Sequence, residues 1–551
     1  MILVGLGAPR AALVTAITKW DRPPGQGSPP RLGETCIMNT PRTHQRRVAP
    51  VVLAVALLAV GARITLAVEP NAATKRWWSH VVALSNDAMR GRDTGSPEHR
   101  AAQEYVVRNL ERNGVKPAGE KGFFQSVSLR SLRMVGDRSS ATLTIGGRER
   151  ALAWLKDIAG PTATGLPASL TGPLVFAGSD NAAGLPVQGA ILVRVSAPRL
   201  LGLPAPPELP TGIVASLGID SVLGPEPSRW PAQNAVAMTL ADGNLPGARG
   251  VPAFRFNPAS AEALFEGSGH TYKEVLDLAA AGKPVPSFEL KGTLALTMAL
   301  EEATLASDNV IGVLPGSDPA LAGQHIVITA HIDGYGLGTP WDGDAIYNGA
   351  FDDAAYVATL IDFAERLRET GTKLRRPVLF AIFTGEEKGL LGSRYFTKHL
   401  TVPREQLAAN VNLDQLRPIF PLHTLTMHSA DDSTLGDTAR GIASAMGITI
   451  QTDPEPLRNL VRRSDNFPFL EIGLPATGFV FGYKPGTSDE VAYRRWYQDR
   501  YHTPKDDLDQ PWVPEAAAKF NDFFAKLVTT LANADTPPAW KPGSAFAPKQ
   551  D

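Results

Sequence analysis

Glu386 and Glu387 stand side by side just after the apolar run Val378 to Phe383, separated from it by Thr384-Gly385. Such a run predicts a strand covered on both faces of an α/β sheet, and open α/β sheets place their chemistry at the C-terminal ends of strands. Adjacent carboxylates can bind metal, move protons or merely decorate a solvated loop, so their company decides. His331 and Asp333 leave another apolar run in Thr329-Ala330-His331-Ile332-Asp333, with both side chains on the same side. A carboxylate so placed can accept the second imidazole N–H and fix the tautomer of a zinc-binding histidine. Asp352 and Asp353 precede a helical run, where aspartates also serve as caps. Asp414 closes Asn412-Leu413-Asp414, and His502 lies in the loop Tyr501-His502-Thr503-Pro504-Lys505-Asp506-Asp507.

Two histidines and three carboxylates, one of them shared, meet the needs of two divalent ions. Zinc accepts imidazole nitrogen and carboxylate oxygen, and a bridging aspartate holds two ions ~3.5–4 Å apart. One further glutamate must stay off the metal to carry protons. In this order the motifs HID, GAFDDAA, TGEEKGLLGS, NLD and YHTPKDD resemble the co-catalytic di-zinc peptidases, a family that includes bacterial aminopeptidases and the glutamate carboxypeptidase group. The resemblance covers about Ser307 to Asp535, and the opening segment with GRDTGS also resembles that family's start.

The resemblance implies two Zn2+ ions, one held by His331, Asp352 and Asp414 and the other by Asp352, Glu387 and His502, with Asp352 bridging. It also implies a cis peptide between Asp352 and Asp353, Glu386 as general base and Asp333 as the orienter of His331. Tyr501 matches a tyrosine that in some members donates a hydrogen bond to the oxyanion. The implied activity is exopeptidase action on a peptide substrate. Aminopeptidase stands first, with glutamate carboxypeptidase-like and dipeptidase specificities as alternatives. A one-zinc glutaminyl cyclase or a metal-free binding protein is expected to lack ligands that this chain keeps. The sequence departs from the family at Ala355-Tyr356, where Ser-Gly is usual, and at Phe351, where Asp or Asn is common. Ser464-Asp465-Asn466 resembles a Ser-Asp-His loop with its last residue changed.

The elements that must position these residues follow from hydrophobic period. Strands are expected at 324–330, 376–384 and 407–413, alternating with helices at 354–368, 390–399 and 433–446, with a last helix at 514–533. Such alternation predicts an α/β fold, a mostly parallel central sheet flanked by helices. Helices are expected at 73–89 and 97–113, the second opened by Ser96-Pro97 and closed by Gly114. Between 129 and 300, short β-like runs separated by turns indicate an inserted β-rich domain, which resembles the protease-associated domain found in the family. The expected organisation is therefore a leader over 1–67, opening helices over 68–128, the insert over 129–300, the peptidase domain over 301–535 and a loose tail over 536–551.

With 551 residues and a formal charge of -1, the chain exceeds one core and carries no basic footprint for nucleic acid. Arg42, Arg46 and Arg47 precede the apolar run Val48 to Ala62, and Thr65-Leu66-Ala67 offers a small-residue cleavage site, the layout of a secretory signal. That run is shorter than the about 20 residues of a bilayer span. Met38 is the expected true start, the product periplasmic or secreted without stable membrane insertion; an uncleaved anchor is the alternative. The one cysteine, Cys36, lies ahead of the run, so the mature protein is expected to contain no disulfide.

Overall fold

The computed structural model describes residues 70–196, 207–220, 230 and 236–548. The expected leader, Met38 and Cys36 lie outside them. Among the described residues, ten strands form one large sheet whose centre is parallel and whose flanks are antiparallel. Leu407–Leu413, His325–His331 and Val378–Phe383 lie side by side in parallel, with Ala476–Phe481 extending the parallel part. Beyond them, Leu300–Leu314 runs antiparallel to Val378–Phe383 and then to Phe124–Met134. On the far edge, Thr424–Met427 pairs antiparallel with Ala476–Phe481 and parallel with Thr449–Gln451.

Alternation along the central strands explains why every residue of them is apolar or buried. Val378, Phe380 and Ile382 join the core on one face with Ile326, Ile328 and Ala330. Leu379, Ala381 and Phe383 join Val327, Phe396 and Phe469 on the other. The first face is covered by the helices Ala355–Thr370, Pro514–Asn533 and Ala72–Ser85, the last tied in by the Trp77 indole N–H donating 3.0 Å to the Ala355 carbonyl. The second face is covered by Leu391–Lys398 and Asn466–Glu471. A sheet covered on both faces has one place left for solvent and substrate, its edge.

The helix Pro97–Arg112 begins as expected, with the Ser96 hydroxyl accepting from the His99 N–H at 3.0 Å. A second sheet of eight strands takes residues from 140 to 297. Its neighbours in sequence, Phe124–Met134 and Val236–Leu240, belong instead to the large sheet, so chain from the middle of the molecule crosses between the two. Residues 537–548 differ from a loose tail. Trp540 donates to the Gly473 carbonyl at 3.2 Å, and Trp540 and Phe546 pack on the core beside Phe467 and Phe469. Tyr356, at the head of its helix, is fully buried, with its hydroxyl donating to the Phe479 carbonyl at 3.2 Å. Phe351 is equally buried, edge-on to Trp78. Both departures from the family pattern therefore fill core.

Candidate functional site

Three adjacent parallel strands deliver their C-terminal residues to one edge. His331 pairs in register with Phe383, and Thr329 with Asn412, so His331, the Glu386-Glu387 turn and Asp414 emerge together. Gly385 turns the chain at φ 66°, a conformation that glycine adopts freely. Asp352 arrives from the turn Ala350–Ala354, and the peptide between Asp352 and Asp353 is cis. His502 arrives from the loop after the helix Ser488–Asp499.

These residues form two overlapping triads. The ligand atoms of His331, Asp352 and Asp414 lie within 4.8 Å of one another, as do those of Asp352, Glu387 and His502. His331 Nε2 is 3.2 Å from Asp352 Oδ1, and His502 Nε2 is 3.3 Å from Asp352 Oδ2 and 3.4 Å from Glu387 Oε2. Asp352 thus offers one oxygen to each histidine. Glu386 lies beside both groups and shares a third cluster with His331 and Glu387. All five expected ligands and the expected base are therefore brought together.

The electrostatics call for cations. Burial, reinforced by the charge of Asp352, pushes the Asp414 carboxyl up to about 7, and burial holds Glu386 and Glu387 well above the usual carboxylate range. Burial also acts on Asp352, but its hydrogen bonds to His331 and His502 win and its carboxyl titrates below the usual value. Asp414 Oδ1 is buried without a hydrogen-bond partner among the described residues. Buried carboxylates in such number are costly unless protonated or paired with positive charge. Two divalent ions fit this donor set of imidazole nitrogen and carboxylate oxygen.

Asp333 faces His331 as expected and has a second task. Its backbone carbonyl, 3.2 Å from His331 Nδ1, is the nearer acceptor for the imidazole, while the carboxylate stands 3.7 Å away. That carboxylate also accepts from the Glu386 N–H at 3.0 Å, the Glu387 N–H at 3.4 Å and the Thr94 hydroxyl at 3.0 Å. The reason is geometric: the tight turn at Gly385 aims two amide N–H groups at the end of the neighbouring strand. Asp333 holds the glutamate loop as well as the histidine.

Tyr501 lies against His502, ring centroids 3.5 Å apart, and its hydroxyl accepts from Arg463 Nη2 at 3.4 Å. It lines a cleft of about 310 Å³ together with Asp352, Glu386, Glu387, His502, Arg462 and Arg463. Asp465 accepts from the Ser393 hydroxyl, and Asn466 heads the short helix behind the sheet. The loop aspartate Asp342 pairs with Lys505 at 2.8 Å and is exposed.

Four residues with structural claims on the site went unnoticed in the sequence. The Arg92 guanidinium is fully buried and donates to the carbonyls of Ile332, Leu84, Asn348 and Gly349 at 2.6–2.9 Å, clamping the segments that carry His331 and Asp352. The Asp506 carboxylate accepts from the N–H groups of Phe351 and Asp352, each at 3.0 Å, and joins the His502 loop to the Asp352 turn. Lys388 pairs with Asp93 at 3.0 Å. Tyr335 places its hydroxyl 3.0 Å from His502 Nδ1. Three of the four carry charge inside the motifs GRDTGS, TGEEKG and YHTPKDD, a signal that charge within a motif is spent on another motif.

Residues 309–528 match the model of peptidase family M28. Aminopeptidase YwaD of Bacillus subtilis is 25% identical over 241 residues, 41% of this chain and 47% of that protein. Leupeptin-inactivating enzyme 1 of Streptomyces exfoliatus is 24% identical over 252 residues, 43% of this chain and 51% of that protein. The chain spans about half the length of these curated relatives. The likeness in fold reaches further. The solved aminopeptidase from Aneurinibacillus sp. strain AM-1 superposes with a TM-score of 0.53 at 19% identity, over 87% of this chain and 96% of the other. A zinc aminopeptidase from Bacillus subtilis gives 0.54 at 19% identity, over 84% and 96%.

Proposed function

Since residues 309–528 match peptidase family M28, we propose that the protein is an exported, zinc-dependent exopeptidase, acting first as an aminopeptidase on short peptides. The observation that carries this is the pair of triads sharing Asp352, with Glu386 beside them in an open cleft. His331, Asp352 and Asp414 would hold one zinc, and Asp352, Glu387 and His502 the other. When bound, such ions lower the pKa of water towards ~7 and polarise a carbonyl.

The chain's own residues supply the rest. Glu386 accepts the proton of the attacking water and returns it to the leaving amine, a role suited to a buried carboxylate whose proton affinity is raised. Asp333 holds the Glu386 and Glu387 amides, so the base keeps its place while its carboxylate changes charge. Arg92 and Asp506 fix the loops that carry His331, Asp352 and His502. The aminopeptidase choice is favoured by the relatives named as aminopeptidases.

One observation favours a second reading, recognition of a free carboxylate. The cleft is lined by Arg462 and Arg463, and Arg462 has no ion-pair partner among the described residues, its guanidinium resting on the Phe467 ring at 4.7 Å. The test is release of amino acids from one short peptide offered free, N-acetylated and C-amidated. Cleavage lost on acetylation supports the aminopeptidase. Cleavage that survives acetylation but fails on amidation moves the assignment to the carboxypeptidase branch. No cleavage of any form overturns the peptidase reading.

A further inference from the structure

Tyr335 follows the HID motif in the turn Gly334-Tyr335-Gly336 and is half-buried next to the second triad. Its hydroxyl is 3.0 Å from His502 Nδ1 and also hydrogen-bonds the Glu387 carboxylate. His502 and Glu387 are the two members of that triad besides the shared Asp352, so one hydroxyl touches both.

Donor and acceptor rules give this contact a direction. A neutral imidazole carries one N–H, and a ligating histidine must leave its other nitrogen bare. With His502 Nε2 facing Asp352 and Glu387, the proton belongs on Nδ1, which donates to the Tyr335 oxygen. The Tyr335 O–H then donates to Glu387, which accepts as the ionised carboxylate that metal binding requires. The chain Nδ1–H to hydroxyl and O–H to carboxylate uses each group once and leaves the metal-facing lone pairs open.

The ring that presents this hydroxyl is itself held. The Lys388 ammonium, on a side chain 5% exposed, lies 5.1 Å from the ring centroid and pairs with Asp93 at 3.0 Å. Tyr347 packs beside it, ring centroids 6.4 Å apart. Lys388 comes from the glutamate loop and Asp93 from the opening segment, so three separate stretches converge on one aromatic ring.

We propose that Tyr335 is a positioning residue that sets the tautomer of His502 and the orientation of Glu387, and so tunes the affinity of one metal site and not the other. This rests on the di-zinc reading above. The experiment is zinc titration of the metal-stripped full chain against a competing chelator, for wild type, Tyr335→Phe and Tyr335→Leu. Tyr335→Phe keeps the ring and loses the hydroxyl. It is expected to weaken one of two zinc sites by about 10–100-fold, the usual effect of losing such a partner, while the other site and the unfolding temperature of the metal-free protein stay at wild-type values. His502→Ala is expected to abolish the same site. Equal zinc affinities in wild type and Tyr335→Phe, with or without an effect of Tyr335→Leu, overturn the proposal and leave the di-zinc reading standing. A wild type that binds no zinc overturns both.

Discussion

At the scale of single residues, the two glutamates of one dipeptide have different tasks. Glu386→Gln removes the proton carrier and keeps the shape, so turnover is expected to fall by about 10²–10⁴-fold while zinc content, read by elemental analysis, stays at the wild-type level. Glu387→Gln is expected to lower zinc content itself. Two histidines outside the triads set a different property. Burial holds His99 and His428 down at about 4, against 6.5 when exposed. The unfolded chain therefore takes up these protons first, and the stability they contribute is present above pH 6.5 and lost as pH falls towards 4. Each accounts for roughly 3 kcal/mol by pH 4. The raised carboxyls of Asp414, Glu386 and Glu387 act in the opposite sense in metal-stripped protein, so the measurement is the difference in unfolding free energy between wild type and His428→Gln at pH 7.5 and at pH 5, and the variant is expected to gain on wild type as pH falls. The candidate ligands were legible in the sequence because each stands at the end of an apolar run or inside a motif. Arg92 was less so: its place in GRDTGS marks a charge but not its partners, the nearby Leu84 carbonyl and three carbonyls some 240 or more residues along the chain.

At the scale of elements, the parallel centre of the sheet could be read from continuous apolar runs, since strands buried on both faces show no alternation to confuse with anything else. Leu407–Leu413 and Pro514–Asn533 fall where hydrophobic period places them. The long strands Phe124–Met134 and Leu300–Leu314 went unread. Leu300 to Asn309 carries Glu301, Glu302 and Asp308 and has the composition of a surface segment, and its pairing with Phe124–Met134 joins residues far apart in the chain. Only tertiary contact defines such a strand. The same holds for the tie between the Asp352 turn and the His502 loop. Asp506→Ala strips the carboxylate from two buried N–H groups. At about 1–3 kcal/mol for each of the two groups left unpaired, it is expected to cost roughly 2–6 kcal/mol in denaturant unfolding and to weaken zinc binding, since both triads contain Asp352. A variant as stable as wild type would mean that the two loops are held by other contacts.

At the scale of the whole molecule, the stretches on either side of residues 140–297, Phe124–Met134 and Leu300–Leu314, pair with each other in the large sheet, so the chain that forms the second sheet starts from and returns to the framework that presents the site. No described helix is long and apolar enough to cross a membrane. Export is a separate expectation that rests on the leader. A chain expressed from Met38 with a C-terminal tag is predicted to yield a mature product beginning near residue 68, read by N-terminal sequencing; an unprocessed product in the membrane fraction would favour the anchor instead. The central claim is that Asp352 joins two metal sites into one hydrolytic centre. Its most direct measurement is peptide hydrolysis by the chelator-stripped protein as zinc is returned, followed against bound zinc per chain. No hydrolysis is expected in the stripped protein and full recovery as zinc approaches two ions per chain, with Asp352→Asn unable to recover at either. Hydrolysis that persists without metal, or that saturates with Asp352 replaced, would contradict it.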